Sequence, residues 1–217
     1  MPIFDHFDFL APIYETFIPP KDPQEMWKFA DLPASGALLD AGGGTGRVAQ
    51  FMNGKANPVI VADMSCKMLS EARQKDGLRP VCSHTEKLPF ADETFARIIM
   101  VDALHHVIDQ RRTVDELWRT LQPGGRLVIE EPDLRLFGVK LLALAEKLAL
   151  MRSHFLSPPR IAELLNYPDA RVRIETSSFN AWVIAEKTLT PALSHRARGT
   201  ENNHEPCHRS RKPDQIL

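Results

Sequence analysis

Residues 38–49 read Leu-Leu-Asp-Ala-Gly-Gly-Gly-Thr-Gly-Arg-Val-Ala, and this stretch decides the fold class. Two apolar residues end a strand. An acid follows, glycines stand at 42, 43, 44 and 46, and an apolar helix start comes next. In Asp40-x-Gly42-x-Gly44-x-Gly46 the glycines recur at every second position. They let the backbone turn tightly and lie against a ligand, because glycine accepts positive φ and has no side chain in the way. A helix after such a loop turns its unpaired N–H groups and positive dipole end back toward that ligand. The pattern defines a nucleotide-type pocket, and Asp40 restricts what fills it. A dinucleotide fingerprint runs G-x-G-x-x-G and needs no acid ahead of it. Here the third glycine comes one residue early. A carboxylate at the strand end also repels a pyrophosphate and suits a cationic ligand.

Outward from the loop, strands and helices alternate. The spacing predicts strands over 37–41, 58–62, 80–83, 97–101 and 126–130 and an antiparallel pair over 171–176 and 181–186. Helices are predicted near 5–17 and 23–31, over 46–52, after Ser65, over 109–121 and 134–152, and after Pro158-Pro159. Pro58-Val59-Ile60-Val61-Ala62 suits a parallel strand buried on both faces. Pro123-Gly124-Gly125 reads as a turn. The alternation means an α/β fold with a mainly parallel sheet, whose ligands sit beyond the carboxyl ends of the strands where strand order reverses. From residue 188 onward periodicity and large apolar residues fade, so 188–217 is expected to be a disordered tail.

Composition bounds the function classes. The 217 residues are 43% hydrophobic and 25% charged, with formal net charge −1. That suits one globular domain with a real core and gives no basic footprint for nucleic acid. Cys66, Cys82 and Cys207 are odd in number and lack CxxC spacing, so neither a disulfide framework nor a zinc site is expected, and a cytoplasmic location fits. No secretory signal is visible at the start of the chain. The apolar run 141–145 is broken by Glu146 and Lys147, too short for the roughly 20 apolar residues of a membrane span.

Asp63 ends the second strand, 23 positions after Asp40, close to the spacing of about 20 expected for an acid that binds ribose hydroxyls. A carboxylate there would repel a 2′-phosphate. The plainer role is capping the helix near Ser65.

At this point the chain resembles the class I S-adenosylmethionine-dependent methyltransferases of the type-11 group, which includes quinone-biosynthesis methyltransferases. The resemblance rests on the loop 40–46, on Asp63, on Glu86-Lys87-Leu88-Pro89-Phe90 with Glu93-Thr94-Phe95, on Asp102-Ala103-Leu104-His105-His106, and on Leu121-Gln122-Pro123-Gly124-Gly125-Arg126-Leu127. Phe9-Leu10-Ala11-Pro12-Ile13-Tyr14 resembles the group's start, and the likeness spans roughly residues 5–187.

The resemblance implies a Rossmann-like fold: a mostly parallel seven-stranded sheet with a final antiparallel strand and helices on both faces. It implies a helical lid over 1–35 and a cofactor-binding domain over 36–187. Asp40, Gly42, Gly44 and Gly46 would hold the methionine part of S-adenosylmethionine, Asp63 its ribose, and Met64 and the Thr85 backbone its adenine. His84 stands where the family usually has Asp. Asp102 would face the methionine part and Tyr14 would fold over the cofactor. His105 and His106 stand at the pocket mouth, as a base for a phenol or enol or as orienting residues. The apolar segment 137–151 would roof the site for a small apolar or aromatic, quinol-like acceptor methylated on carbon or oxygen. Core packing, a homodimer interface or peripheral membrane contact are its other readings. No metal is implied. The rivals are a non-catalytic S-adenosylmethionine-binding protein and an NAD-type oxidoreductase.

Overall fold

A computed structural model describes residues 23–136, 153–177 and 179–189. Among them, seven strands form one sheet: β1 Leu38–Ala41, β2 Val59–Asp63, β3 Leu78–Cys82, β4 Phe95–Val101, β5 Leu121–Pro132, β6 Ala170–Ser177 and β7 Asn180–Lys187. Their order is β3-β2-β1-β4-β5-β7-β6. Strands β1 to β5 run parallel, and β7 is antiparallel to both β5 and β6. The described helices are α1 Gln24–Ala30, α2 Cys66–Ala72, α3 Gln110–Thr120 and α4 Pro158–Leu164, with 3-10 turns at Ala49–Met52 and Leu104–His106. The expected sheet is present, and its antiparallel strand, last in sequence, sits between β5 and β6.

Successive strand residues point to opposite faces, and both faces are covered. Leu39, Ile98, Leu127 and Val183 join one core with Leu117 and Trp118 of α3. Their chain neighbours Leu38, Ile99, Val128 and Ile184 join a second core with Met26 and Phe29 of α1 and Leu69 of α2. Burial on both faces is why these strands read as unbroken apolar runs. The helices start where side chains satisfy free N–H groups. Ser65 Oγ accepts from the Met68 N–H at 3.1 Å to open α2, and Asp109 accepts from the Arg112 N–H at 2.9 Å to open α3. Each such cap contributes on the order of 1 kcal/mol. Strand β6 lies at the sheet edge, mostly exposed, and its charged Arg171, Arg173 and Glu175 discourage further strand pairing.

Four sequence expectations are corrected. The helix over 46–52 is reduced to a 3-10 turn at Ala49–Met52. Gly46 takes φ of +73° and so cannot open an α-helix, which leaves the run only the residues after it. Pro123-Gly124-Gly125 does not separate two elements. It bulges within β5, where Leu121 pairs with Phe95 and Arg126 already pairs with Arg97. The third strand starts at Leu78 instead of 80, because Leu78 pairs with Val59. Finally, Cys66 and Cys82 are joined in a disulfide. Sequence spacing could not show it, because the partners meet only when β3 aligns beside β2 with Cys82 opposite Asp63.

Of the segment 1–35, the described part includes α1, which packs Met26, Phe29 and Ala30 into the core, with the Phe29 and Trp182 rings 5.0 Å apart. Tyr14, the segment 137–151 and residues beyond 189 lie outside the described residues. Among the described residues no helix is long and apolar enough to cross a membrane.

Candidate functional site

The chain runs from β1 outward through β2 and β3, then returns to place β4 on the other flank of β1. The loops after β1 and β4 therefore face each other at the strands' carboxyl ends, where such sheets bind ligands. They touch closely: a Cβ on Gly42 would lie 2.7 Å from Ala103 Cβ. Gly42 and Gly44 take φ of +70° and +53°, a region open to glycine without strain. Gly43 is required for a different reason, since a Cβ there would come within 2.6 Å of Asp40 Cγ. Gly46 serves packing, its missing Cβ leaving room for Leu78 Cδ1.

A cavity of about 150 Å³, open to solvent, is bounded by the turns that follow β1, β2, β3 and β4. Asp40, Gly42, Gly44 and Asp63 line it. So do Met64, His84, Thr85, Asp102 and His106. Gly46 and His105 are not on its wall. Thus eleven residues picked out in the sequence converge on one site or its immediate support, though they are spread over 67 positions from Asp40 to His106.

Asp40 is buried, and burial pushes its carboxyl up to about 7. The Arg47 charge and a hydrogen bond from the Ala49 N–H oppose that rise, while Asp63 adds to it. Asp40 Oδ2 and Arg47 Nη1 are both buried without a hydrogen-bond partner. Arg47 Nη2 donates to Asp102 Oδ2 at 2.9 Å, which fixes the guanidinium at the cavity wall. Opposite charges, each with an unused polar atom, face one cavity. Buried polar groups are normally satisfied, so this pair calls for a ligand carrying both a cation and an anion, as the α-amino acid end of S-adenosylmethionine does.

Asp63 accepts the Gly44 N–H at 2.9 Å with one oxygen and the Ser65 N–H at 2.8 Å with the other. It is therefore a tether between the glycine loop and the start of α2. A carboxylate has about four lone-pair sites, so this tethering and ribose hydroxyls are compatible. On the opposite wall His84 is exposed at the rim and Thr85 is buried, with its Oγ1 3.3 Å from Thr113 Oγ1. Glu86 Oε1 accepts the N–H groups of Ile108 and Asp109 at 3.1 and 3.4 Å and so joins the β3 and β4 loops.

The two histidines part company. His105 is 4% exposed, with its Nδ1 bonded to Glu131 Oε2 and its ring stacked 4.1 Å from Phe155. Glu131 Oε1 also accepts the N–H groups of Ala103 and Leu104 at 3.1 and 2.7 Å. The carboxylate thus holds the whole turn after β4, including Asp102 at its left-handed φ of +50°. His106 faces the cavity, and burial, with the neighbouring His105, pushes its imidazole down to about 3. It is neutral at physiological pH and a weak proton acceptor.

Gly43, Arg47, Glu86 and Glu131 shape the site, although the sequence assigns none of them a role in it. Arg47 carried a signal, being the first residue after the glycine loop. Glu131 carried none, because its partners lie 26 to 28 positions away in another loop.

An open α/β sheet with an acid–glycine loop and a zwitterion-matched wall at its switch point defines the nucleoside-cofactor class of doubly wound proteins. The comparisons narrow the class. Residues 39–129 match the family model of the type-11 methyltransferase domain. The ubiquinone/menaquinone biosynthesis C-methyltransferase of Pectobacterium atrosepticum is 35% identical over 121 residues, covering 49% of this chain and 48% of the relative. The chain spans about half the length of the curated relatives it matches. Among solved structures, an S-adenosylmethionine-dependent methyltransferase of Thermotoga maritima, titled a possible histamine N-methyltransferase, aligns with TM-score 0.67 and 21% identity over 84% of this chain and 98% of that one. The [4+2]-cyclase SpnF aligns with TM-score 0.70 and 15% identity over 85% and 95%. Residues 39–129 are thus similar to a methyltransferase domain, on a fold shared with S-adenosylmethionine-dependent methyltransferases.

Proposed function

We propose that this chain transfers the methyl group of S-adenosylmethionine to a small apolar or aromatic acceptor. The observation that carries the reading is the buried pair of unsatisfied atoms, Asp40 Oδ2 and Arg47 Nη1, on the wall of the switch-point cavity. When bound, the cofactor supplies a methyl on a sulfonium, already a good electrophile. Binding and orientation are then the protein's main tasks. Asp40 attracts the ammonium and Arg47 the carboxylate, while Asp102 keeps the guanidinium aimed. Asp63 accepts from the ribose hydroxyls, with Met64 and Thr85 on the adenine side. His106 orients the acceptor at the mouth of the cavity, and its low basicity makes it a positioning group rather than a strong base. His105 acts through its bond to Glu131, setting the turn that presents His106. Residues 1–35 with Tyr14 as a lid, the segment 137–151 as an apolar roof, and a cytoplasmic location complete the proposal.

The quinol-like class of acceptor is supported by the likeness to the quinone C-methyltransferases. The [4+2]-cyclase neighbour favours keeping a second reading, because one fold serves chemistries of different kinds: a cofactor-binding protein that transfers no methyl. Labelled S-adenosylmethionine offered with a panel of quinols, phenols and amines separates the two. Label in an acceptor supports transfer. Tight cofactor binding with no labelled product from any acceptor supports the second reading.

The cofactor assignment makes its own prediction. Asp63→Ala removes the ribose contact and frees the Gly44 and Ser65 N–H groups together. Calorimetry with S-adenosylhomocysteine is expected to show affinity lower by about tenfold to a hundredfold. Unchanged affinity would sink the ribose assignment.

A further inference from the structure

The disulfide between Cys66 and Cys82 lies in the frame of the cofactor cavity. Cys66 is the first residue of α2 and directly follows Asp63-Met64-Ser65. Cys82 is the last residue of β3 and directly precedes Ser83-His84-Thr85. Both triplets line the cavity, one on each side of its adenosine half. The bond therefore ties two walls that would clasp the same ligand. Among the described residues β3 is an edge strand paired with β2 alone, and the wall after it is tied to α3 and the β4 loop through Thr85 and Glu86. Two contacts link it to the other wall: the Ser83 N–H donates to Asp63 O at 2.9 Å, and Cys82 Sγ lies 3.6 Å from Met64 O. Both cysteines are exposed residues, within reach of thiols and disulfides in solution.

We propose that Cys66 and Cys82 form a reversible dithiol–disulfide site whose oxidised form holds the adenosine side of the cavity in its binding geometry. The inference rests on the cofactor reading above. In the oxidising step two Cys thiols lose two protons and two electrons and form the S–S bond. The oxidant is a low-molecular-weight or protein disulfide, which takes up both and leaves as two thiols. Reduction runs the same exchange backward. With the bond closed, the spacing of the two walls is set before the ligand arrives, so less ordering is needed on binding. With it open, the edge-strand wall must be ordered by the ligand.

The test uses the full chain equilibrated in glutathione mixtures of different oxidised-to-reduced ratio. Peptide mapping follows the Cys66–Cys82 bond, and calorimetry measures S-adenosylhomocysteine binding at each ratio. The expected result is a bond that forms and breaks reversibly, with affinity about tenfold higher in the oxidised form. Cys66→Ser and Cys82→Ser are each expected to bind like the reduced wild type at every ratio. Equal affinity in both wild-type states, or tighter binding by the reduced one, overturns the redox proposal and leaves the cofactor reading standing. Binding in neither state overturns the cofactor reading, and this proposal with it.

Discussion

Glu131→Ala is expected to lower the stability of the fold by about 3–5 kcal/mol, because it leaves several buried hydrogen-bonding groups without a partner at about 1–3 kcal/mol each. Glu131 is 3% exposed and bonds three groups of the turn after β4: the Ala103 and Leu104 N–H groups and the His105 ring. Alanine leaves all three without that acceptor in the interior. The damage spreads further, because the His105 carbonyl accepts the His154 N–H at 2.7 Å and its ring stacks on Phe155. In a domain of this size each kcal/mol moves the melting temperature by about 2–4 °C, so a fall of about 10 °C is expected. Glu131→Gln keeps an oxygen for the two backbone N–H groups and should lose much less. Circular dichroism melts of the three proteins check this. A Glu131→Ala variant that melts with the wild type would show that the turn is held by something else.

Cofactor affinity is expected to fall about thirtyfold between pH 8 and pH 5.5, and Asp40 is the reason. The Asp40 carboxyl, pushed up to about 7 by burial, must be ionised to receive the ammonium of the cofactor. Above pH 7 the ionised form already dominates and affinity levels off. Below it a proton competes with the ligand, and each further unit costs about tenfold. Binding near pH 7 is then accompanied by proton release, which calorimetry in buffers of different ionisation enthalpy detects. Asp40→Asn should abolish both the slope and the release, with affinity at pH 8 lower by roughly a hundredfold for loss of a buried charge contact. The same group acts on folding with the opposite sign to a paired carboxylate. With its folded pKa raised, its contribution to stability is complete below the unfolded value near 3.8 and is lost as pH rises through about 7. A flat affinity profile from pH 8 to 5.5 would show that Asp40 does not meet the cation.

Much of this was legible in the chain. The acid and glycines from Asp40 to Gly46, and Asp63 at the next strand end, report backbone conformation and close approach, which are local demands that residue type expresses directly. The apolar runs of β1, β2 and β4 report burial on both faces, so the parallel sheet followed from pattern alone. The bulge at Gly124 was misread as a turn because glycine's positive φ serves either, and only the pairing of Leu121 with Phe95 decides. The 3-10 turn at Ala49–Met52 reads as a helix in the sequence because the pattern does not show that Gly46 sits at φ +73°.

By itself, then, the sequence determined the fold class and the location of the pocket, since each rests on residues adjacent in the chain or repeating along it, and its resemblance to a methyltransferase group pointed to the cofactor. Only the tertiary structure decided that His105 turns inward to Glu131 while His106 faces the cavity, that Arg47 and Asp40 each keep an unsatisfied polar atom there, and that Cys66 bonds Cys82 across two walls of the cavity. His105 and Glu131, and Cys66 and Cys82, lie on different elements, and Arg47 is aimed by Asp102 of the turn after β4. What brings them together is the register of β2 against β3 and of β4 against β5, a long-range property that no spacing within one loop encodes.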